Sequence, residues 1–222
     1  MPLVIAFISQ KGGVGKSSLA RAFATFAIRV GLTATIIDLD VEQRTSSCWE
    51  MVRQRRGIMP AVEVQSLPDA ASASASSIGD VLLIFDTPGR ITDDTTEIAK
   101  YAHLLVQPTS PSADELPLAL LVFQALERTG VPRERLAFAL TRVLSDGEQL
   151  EARTSLTQAG YTVLRGSIPE RLEYRQAMRD GCSIAETGQV LKARVDEVLM
   201  HLLEKAAENS ERGGVPPYAN VT

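Results

Sequence analysis

The sequence predicts an α/β protein with three layers, in which helices cover both faces of a mostly parallel, twisted sheet of about seven to eight strands. Three observations support this prediction. Short apolar segments alternate with longer helical segments, as in repeated βαβ units. Several predicted strands are apolar at consecutive positions, as expected of strands buried on both faces. A glycine-rich loop follows the first predicted strand and precedes the first predicted helix.

The predicted elements follow this alternation along the whole chain. The strand segments are runs such as LVIAFI and VLLIFD, which lie at 3–8, 33–38, 61–67, 81–86, 103–108, 136–141 and 161–165. The helical segments between and after them lie at 16–30, 45–56, 69–78, 93–101, 112–129, 146–159, 168–179 and 189–208. Residues 69–78 are rich in Ala and Ser, so the alternative there is a low-complexity linker; we predict a short helix capped by Asp69.

Size and composition predict one domain and exclude several classes of protein. The 222 residues, 45% hydrophobic and 23% charged, are enough for one core, which we place in residues 1–208. Residues 209–222 contain Gly-Gly and Pro-Pro, and we expect a flexible tail. The net charge of −4 excludes a globally basic nucleic-acid binder. Neither a membrane span nor a cleavable leader is evident, so we expect a cytoplasmic protein.

The loop GGVGKSS has the composition and position of a phosphate-binding loop. Its glycines allow backbone N–H groups to converge on phosphate oxygens, and the N-terminus of the following helix adds positive potential. Lys16 can reach the β and γ phosphates, and the Ser17 hydroxyl can bind Mg²⁺. The nucleotide-binding residues predicted from this composition are Gly12, Gly13, Val14, Gly15, Lys16, Ser17 and Ser18; Lys11 is added by the resemblance described below.

Acidic residues at the ends of two predicted strands complete the site. Asp38 ends the strand TIID, and Asp40 follows two residues later on the same side of the extended chain. Asp86 ends the apolar run VLLIFD. Carboxylates at the carboxyl edge of a parallel sheet are suited to hold a metal ion and orient water. We therefore predict that a metal ion lies near Asp38 and Asp40, beside the phosphate loop.

The stretch KGGVGKSS resembles the deviant Walker A motif of the ParA/MinD family of P-loop ATPases. The resemblance runs through DLD, DVLLIFDTPG and residues 168–186, although Val41 and Glu42 replace the proline and glutamine often found after the first aspartates. It implies a P-loop NTPase fold, ATP and Mg²⁺ as ligands, and an ATP-dependent homodimer or higher assembly. In that family the first lysine, here Lys11, reaches the partner subunit's phosphates.

The resemblance also implies roles for individual residues. Lys11, Lys16 and Asp40 would be catalytic, with Asp40 orienting the attacking water and Asp38 supporting the site. Ser17, Asp40 and Asp86 would surround Mg²⁺. Thr141, Arg142, Ile168 and Pro169 match positions that hold adenine, although a plain strand end and a helix-initiating proline are the alternatives. No histidine or other tuned base is evident, so hydrolysis is expected to be slow.

Arginines predict a local DNA-binding surface. Arg171, Arg175 and Arg179 are spaced four residues apart on one side of the predicted helix, with Leu172 and Met178 towards the core and Arg165 just upstream. Such a stripe can bind phosphates without reading sequence. The alternative is a solvated helix face neutralised by Glu170 and Glu173. The segment RQRR (53–56) is a second basic candidate.

Within the family the chain most resembles the short ParA-type plasmid or chromosome partition ATPases, which have no N-terminal helix-turn-helix, and this resemblance implies DNA partition. ATP would close a dimer that binds nonspecific DNA on the nucleoid, and a small centromere-binding adaptor would stimulate hydrolysis. Positioning of another cargo and a membrane-cycling role like that of MinD are the alternatives. The membrane role requires a C-terminal amphipathic helix with basic flanks, whereas the apolar side of residues 189–208 is suited to pack against the protein. We expect no membrane partner. Cys48 and Cys182 do not have the positions of an iron–sulfur reductase of this superfamily.

Overall fold

A parallel sheet forms the centre of the structure, a computed structural model that describes residues 2–75 and 82–213. Eight strands lie in these ranges, in the order β3-β2-β4-β1-β5-β6-β7, with β8 paired to β6, and every pairing between them is parallel. They are β1 (Leu3–Phe7), β2 (Ala34–Asp38), β3 (Glu63–Ser66), β4 (Leu82–Asp86), β5 (Leu104–Thr109), β6 (Leu136–Val143), β7 (Thr162–Val163) and β8 (Ile168–Pro169).

Helices cover both faces of the sheet, as predicted. Successive residues of β1 show why: Ile5 and Phe7 pack into one hydrophobic cluster, whereas Val4 and Ala6 pack into the other. The first cluster contains side chains from α1, α2, α6 and α7, and the second contains side chains from α3, α4 and α5. The helices are α1 (Lys16–Arg29), α2 (Thr45–Arg55), α3 (Asp93–Tyr101), α4 (Glu115–Arg128), α5 (Asp146–Gln158), α6 (Leu172–Arg179) and α7 (Gln189–Glu211).

Three adjacent strands end together and create the edge on which the candidate site lies. Asp86 at the end of β4 is in register with Phe7 at the end of β1 on one side and with Asp38 at the end of β2 on the other. The phosphate loop follows Phe7 directly. The two acidic strand ends and the loop are therefore neighbours because of strand order, not sequence distance.

Two of the predicted helical segments differ clearly from the structure. The helix predicted at 168–179 begins only at Leu172, because Ile168 and Pro169 pair with Thr141 and Val143 of β6. In place of the helix at 69–78 the described residues contain a short 3₁₀ helix, Ala71–Ala75, and residues 76–78 lie outside the described ranges.

The last helix continues into the predicted tail. It ends at Glu211 rather than at 208, and the Asn209 side chain is buried, where its Nδ2 donates to the carbonyls of His103 and Glu134, both at 2.9 Å. Residues 209–211 thus belong to the packed structure. Residues 214–222 of the predicted tail lie outside the described ranges.

Candidate nucleotide site

The phosphate loop places Lys16 in a buried position at the first residue of α1. Gly13 and Gly15 have φ of 79° and 104°, a conformation that glycine adopts without strain, and this turns the chain into the helix. Lys16 is only 6% exposed, and its Nζ donates to Ser9 Oγ at 2.9 Å. Burial lowers the pKa of Lys16, and the negative charges of Asp86 and Asp40 oppose that shift. A buried cation beside the loop's N–H groups is suited to bind phosphate.

Hydroxyl groups surround Asp86 at the end of β4. Ser17 Oγ donates to Asp86 Oδ1 at 3.0 Å, and Ser46 Oγ donates to Asp86 Oδ2 at 2.7 Å. Thr45 Oγ1 donates to Ser17 Oγ at 3.0 Å. Burial raises the pKa of Asp86 to about 6, even though the hydroxyl bonds and the charge of Arg21 favour the ionised form. The neighbouring hydroxyls and Arg21 therefore do not fully compensate for the burial of this carboxylate.

Arg21 lies behind this network, and sequence reasoning missed it. It is 7% exposed, its Nε donates to Ser46 Oγ at 3.1 Å, and its guanidinium carbon lies 5.7 Å from the centroid of the Trp49 ring. Burial lowers its pKa, and the charges of Asp86 and Asp38 counteract the effect. Its spacing was the available signal, because Arg21 is four residues after Ser17 and shares its helix face.

Asp38 and Asp40 have different roles in the segment between β2 and α2. Asp38 is fully buried, and its Oδ2 accepts hydrogen bonds from the backbone N–H groups of Ser46 and Ser47 at 3.1 and 3.0 Å, which fixes the start of α2. Asp40 is only partly buried and accepts from the Gln43 N–H at 3.1 Å. It lines the same cavity as Lys16 and Ser17. Asp38 thus supports the structure, and Asp40 remains available to the cavity.

Two cavities meet at the loop. The first, of about 570 Å³, is lined by loop residues together with Arg21, Asp40, Thr45 and Thr87. The second, of about 560 Å³, is lined by the predicted adenine-binding residues Thr141, Arg142, Ile168 and Pro169. Their walls share Gly13, Gly15, Ser18 and Met178, so a nucleotide can extend from one into the other.

The second cavity has a fixed wall on the loop side. The buried Thr141 Oγ1 donates to the Val14 carbonyl at 2.9 Å, which ties β6 to the phosphate loop. Arg142 has φ of 56°, which is uncommon outside glycine, and pairs with Glu170 at 3.3 Å. The pairing of β8 with β6 brings the two predicted adenine segments side by side.

Lys11 has an environment unlike that of Lys16. It lines neither of these two cavities. Its side chain is 58% exposed, and its Nζ lies 2.8 Å from Glu115 Oε1 at the start of α4. Glu115 is a second residue that sequence reasoning missed, because 104 residues separate it from Lys11.

This geometry can be compared with known proteins. The family model described as the CobQ/CobB/MinD/ParA nucleotide binding domain matches residues 5–184. The chain belongs to this family. The resemblance to ParA/MinD proteins is thereby confirmed, and the phosphate loop lies within the matched residues. No curated protein sequence matches the chain significantly.

Solved structures of family members share the fold. A plasmid partition protein of Borrelia burgdorferi bound to AMPPNP is 16% identical, with a TM-score of 0.70 over 92% of this chain and 100% of that one. MinD of Pyrococcus furiosus is 17% identical, with a TM-score of 0.73 over 92% and 99%. A Cyanothece McdA variant in complex with ATP is 15% identical, with a TM-score of 0.67 over 93% and 96%. At these identities the likeness establishes the P-loop NTPase fold.

The residues fit a Mg²⁺ ion brought by a nucleotide. Mg²⁺ prefers oxygen ligands and binds through one or two protein groups together with phosphates and water. Ser17 Oγ and Asp86 Oδ1 provide a hydroxyl and a carboxylate 3.0 Å apart beside the phosphate cavity. Asp40 lines the same cavity and acts electrostatically on Lys16. Of the three predicted ligands, the structure thus brings Ser17 and Asp86 into direct contact.

The predicted DNA-binding arginines lie on the surface, but most of them are paired. Arg165 pairs with Glu204, Arg175 pairs with Glu170, and Arg179 lies 3.6 Å from Asp180. Arg171 and Arg175 also line the second cavity. The prediction for Leu172 is wrong, since it is 64% exposed, whereas Met178 packs against the core as predicted.

The second basic candidate, RQRR, is not a continuous surface. Arg53 is 1% exposed, pairs with Glu186 at 2.7 Å and donates to the Gly181 carbonyl at 3.0 Å. Trp49 Nε1 donates to the Cys182 carbonyl at 3.1 Å. These buried contacts join α2, which begins at the site, to the segment that follows α6.

The cysteines and histidines take the following positions. Cys48 is exposed and lines the first cavity, and Cys182 is partly buried. His103 Nδ1 accepts from the Val4 N–H at 3.0 Å, and His201 Nδ1 accepts from the Arg165 N–H at 2.8 Å. Both histidines therefore support the backbone.

Within residues 2–75 and 82–213, no helix has the length and apolar character needed to cross a membrane.

Proposed function

We propose that this chain is an ATP-dependent molecular switch for DNA partition. ATP with Mg²⁺ closes a homodimer in which each nucleotide lies between the subunits. The dimer binds DNA without sequence preference, and hydrolysis, slow in the chain alone and stimulated by a centromere-binding adaptor, returns the monomer. The protein would thus be cytoplasmic and associated with the nucleoid only while ATP is bound.

One observation carries the proposal: the two lysines of the loop face different surroundings. Lys16 is buried at the phosphate cavity, whereas Lys11 is 58% exposed along its side chain and lines neither nucleotide cavity. A monomeric phosphate site is already served by Lys16, the loop's N–H groups and Mg²⁺. A second cation that projects away from this site is suited to contact phosphates held by another subunit.

The chemistry proposed for the site rests on positioning and charge. Lys16 and Mg²⁺ held by Ser17 and Asp86 would neutralise the phosphates. Asp40, which is partly exposed at the cavity wall, would orient the attacking water. No group here needs to form a covalent intermediate. The low hydrolysis rate expected for such a site would determine how long the ATP-bound dimer persists.

The DNA-binding part of the proposal relies on α6. Arg175 and Arg179 expose 69% and 76% of their side chains, and their carboxylate partners are also partly exposed, so phosphates can compete for them. A dimer would present two such helices and double the number of phosphate contacts. The contacts of Trp49 and Arg53 with the carbonyls of Cys182 and Gly181 would connect α2, which begins at the site, to the segment that follows α6.

A DNA gel shift tests the proposal with the parent protein, Arg175→Glu and Lys11→Ala, in ATP, ADP or a nonhydrolysable ATP analogue. The parent should shift nonspecific DNA with ATP or the analogue and not with ADP. Both variants should lose the shift. The matched control is Arg128→Glu, an exposed arginine on α4 at the opposite face of the sheet, which should shift like the parent.

Failure of the parent to bind DNA in ATP would contradict the partition role. Co-sedimentation with anionic liposomes in ATP tests the membrane-cycling alternative. ATP-dependent binding to the liposomes would indicate that the protein's target surface is a membrane and not DNA. If Arg175→Glu binds DNA like the parent, α6 is not the DNA surface, whereas the nucleotide switch would still stand.

A further inference from the structure

Lys11 forms an ion pair with a residue of its own subunit. Its Nζ donates to Glu115 Oε1 at 2.8 Å, and this hydrogen-bonded ion pair joins the phosphate loop to the first residue of α4. The two side chains differ in freedom, since 58% of the lysine side chain is exposed and only 10% of the glutamate side chain. The lysine can leave the pair, but the glutamate is fixed.

The turn before α4 holds the Glu115 carboxylate in place. Glu115 Oε2 accepts from the Ser110 N–H at 3.2 Å, and the Glu115 N–H donates to the Ser112 carbonyl at 3.1 Å. Burial raises the pKa of Glu115, but the hydrogen bonds from Lys11 and Ser110 outweigh it, so its pKa is lowered. The carboxylate is therefore a fixed anion at neutral pH, and it offers Lys11 what a phosphate would offer.

The pair lies at a third, smaller cavity of about 270 Å³ beside the phosphate loop. Val14, Lys11 and Glu115 line it together with Gln107, whose Oε1 is buried and has no hydrogen-bond partner within the described ranges. Glu115 lines neither nucleotide cavity. A change at Glu115 can therefore alter the position of Lys11 without removing a group from the nucleotide's own walls.

We propose that Glu115 is an autoinhibitory latch that holds Lys11 until a nucleotide-loaded second copy of the chain competes for it. This inference rests on the proposed function, because it assumes that Lys11 contacts the partner's phosphates in the dimer. The phosphates carry more negative charge than one carboxylate, so they can displace it. The latch sets the ATP concentration at which dimers form and suppresses dimers without ATP.

The latch predicts opposite effects for the two members of one ion pair. Removal of the Glu115 charge should strengthen the dimer, since Lys11 no longer has to leave an intramolecular partner. Removal of the Lys11 charge should weaken the dimer, since the intersubunit contact is lost. A pair that only stabilised the fold would give effects of the same sign for both substitutions.

Sedimentation velocity measures this with the full chain, Mg²⁺ and a nonhydrolysable ATP analogue. A partly exposed ion pair contributes up to about fivefold to an equilibrium. Two pairs open in a symmetric dimer, so Glu115→Gln should raise the dimer association constant by up to about 25-fold. Lys11→Gln should remain monomeric. Glu127→Gln, on the same helix and paired with Arg133, is the matched control and should match the parent.

The outcomes separate the latch from the proposed function. If the parent dimerises and Glu115→Gln dimerises equally or less, the latch is wrong and the switch stands. If the parent stays monomeric at saturating analogue, the dimer fails and the latch fails with it. Glu115→Asp, which keeps the charge on a shorter side chain, guards against misfolding and should fall between the parent and Glu115→Gln.

Discussion

The two lysines of the phosphate loop occupy opposite environments, although they are five residues apart in the sequence. Lys16 is buried among Ser9, Asp40 and Asp86, and it depends on the fold around it. Lys11 is largely exposed, with one carboxylate partner from α4. Under the proposed function, this difference would let one loop serve two nucleotide sites, one within the subunit through Lys16 and one across a dimer through Lys11.

The largest expected effect tests the Lys16 half of this comparison. Lys16→Ala should lower ATP affinity by about 1000-fold, because it removes a buried cation that faces the phosphates. Titration with a fluorescent ATP analogue at low protein concentration measures the affinity of the monomer. A loss below tenfold would mean that Lys16 is not the phosphate cation.

Asp86 gives the next effect, and its sign depends on pH. Burial raises the pKa of Asp86 from 3.8 to about 6, so between these values the folded chain binds more protons than the unfolded chain. Stability therefore falls as pH rises through this window, and the full penalty of about 3 kcal/mol persists above pH 6. Asp86→Asn removes the charge and should stabilise the nucleotide-free chain at pH 8.

Thermal unfolding of both proteins without nucleotide, from pH 5 to pH 8, measures this penalty. The variant should gain most over the parent at pH 8 and least at pH 5. It should also lose the Mg²⁺ dependence of ATP binding. An equal difference between the two proteins at every pH would show that the Asp86 charge carries no penalty.

Asp40→Ala should lower the ATP hydrolysis rate by about 100-fold while the ATP-bound dimer accumulates, because a positioned carboxylate contributes about that much to water attack. Phosphate release measures the rate, and sedimentation measures the dimer. Glu42→Ala is the control, since Glu42 is 76% exposed and should leave the rate unchanged. Unaltered hydrolysis in Asp40→Ala would remove this residue from the mechanism.

The smallest expected effect concerns the loop segment between the two lysines. Thr141→Val removes the hydrogen bond to the Val14 carbonyl, which should cost about 1 kcal/mol and lower ATP affinity about fivefold. Thr25→Val, which breaks a buried bond to Ser183 away from the site, should lose similar stability and keep the parent's affinity. Equal affinities for both variants would mean that β6 does not hold the loop.

Much of the fold and part of the site could be predicted from the sequence, since both depend on local patterns. Consecutive apolar residues predicted the buried parallel strands, and Asp86, predicted at a strand end, lies with its Oδ1 3.0 Å from Ser17 Oγ. Ile168 and Pro169 were predicted in a helix because their pairing with β6 depends on a partner strand about 26 residues earlier.

The residues that sequence reasoning missed act over longer distances. Glu115 contacts Lys11, from which it is 104 residues distant in the sequence, and Ser46 contacts Asp86 at a sequence separation of 40 residues. Neither local hydrophobic periodicity nor a sequence motif predicts such contacts, because they form only when the strands and helices pack together. Arg53 is another example. It was predicted as part of an exposed basic segment, but in the structure it is buried and forms an ion pair with Glu186.

The central claim is that Lys11 serves the partner's nucleotide rather than its own. The most direct test measures two quantities on Lys11→Ala: monomer affinity for a nonhydrolysable ATP analogue at low protein concentration, and dimer formation at high concentration. We expect affinity within about twofold of the parent and no dimer. A variant that dimerises like the parent, or that loses monomer affinity as Lys16→Ala does, would contradict the account.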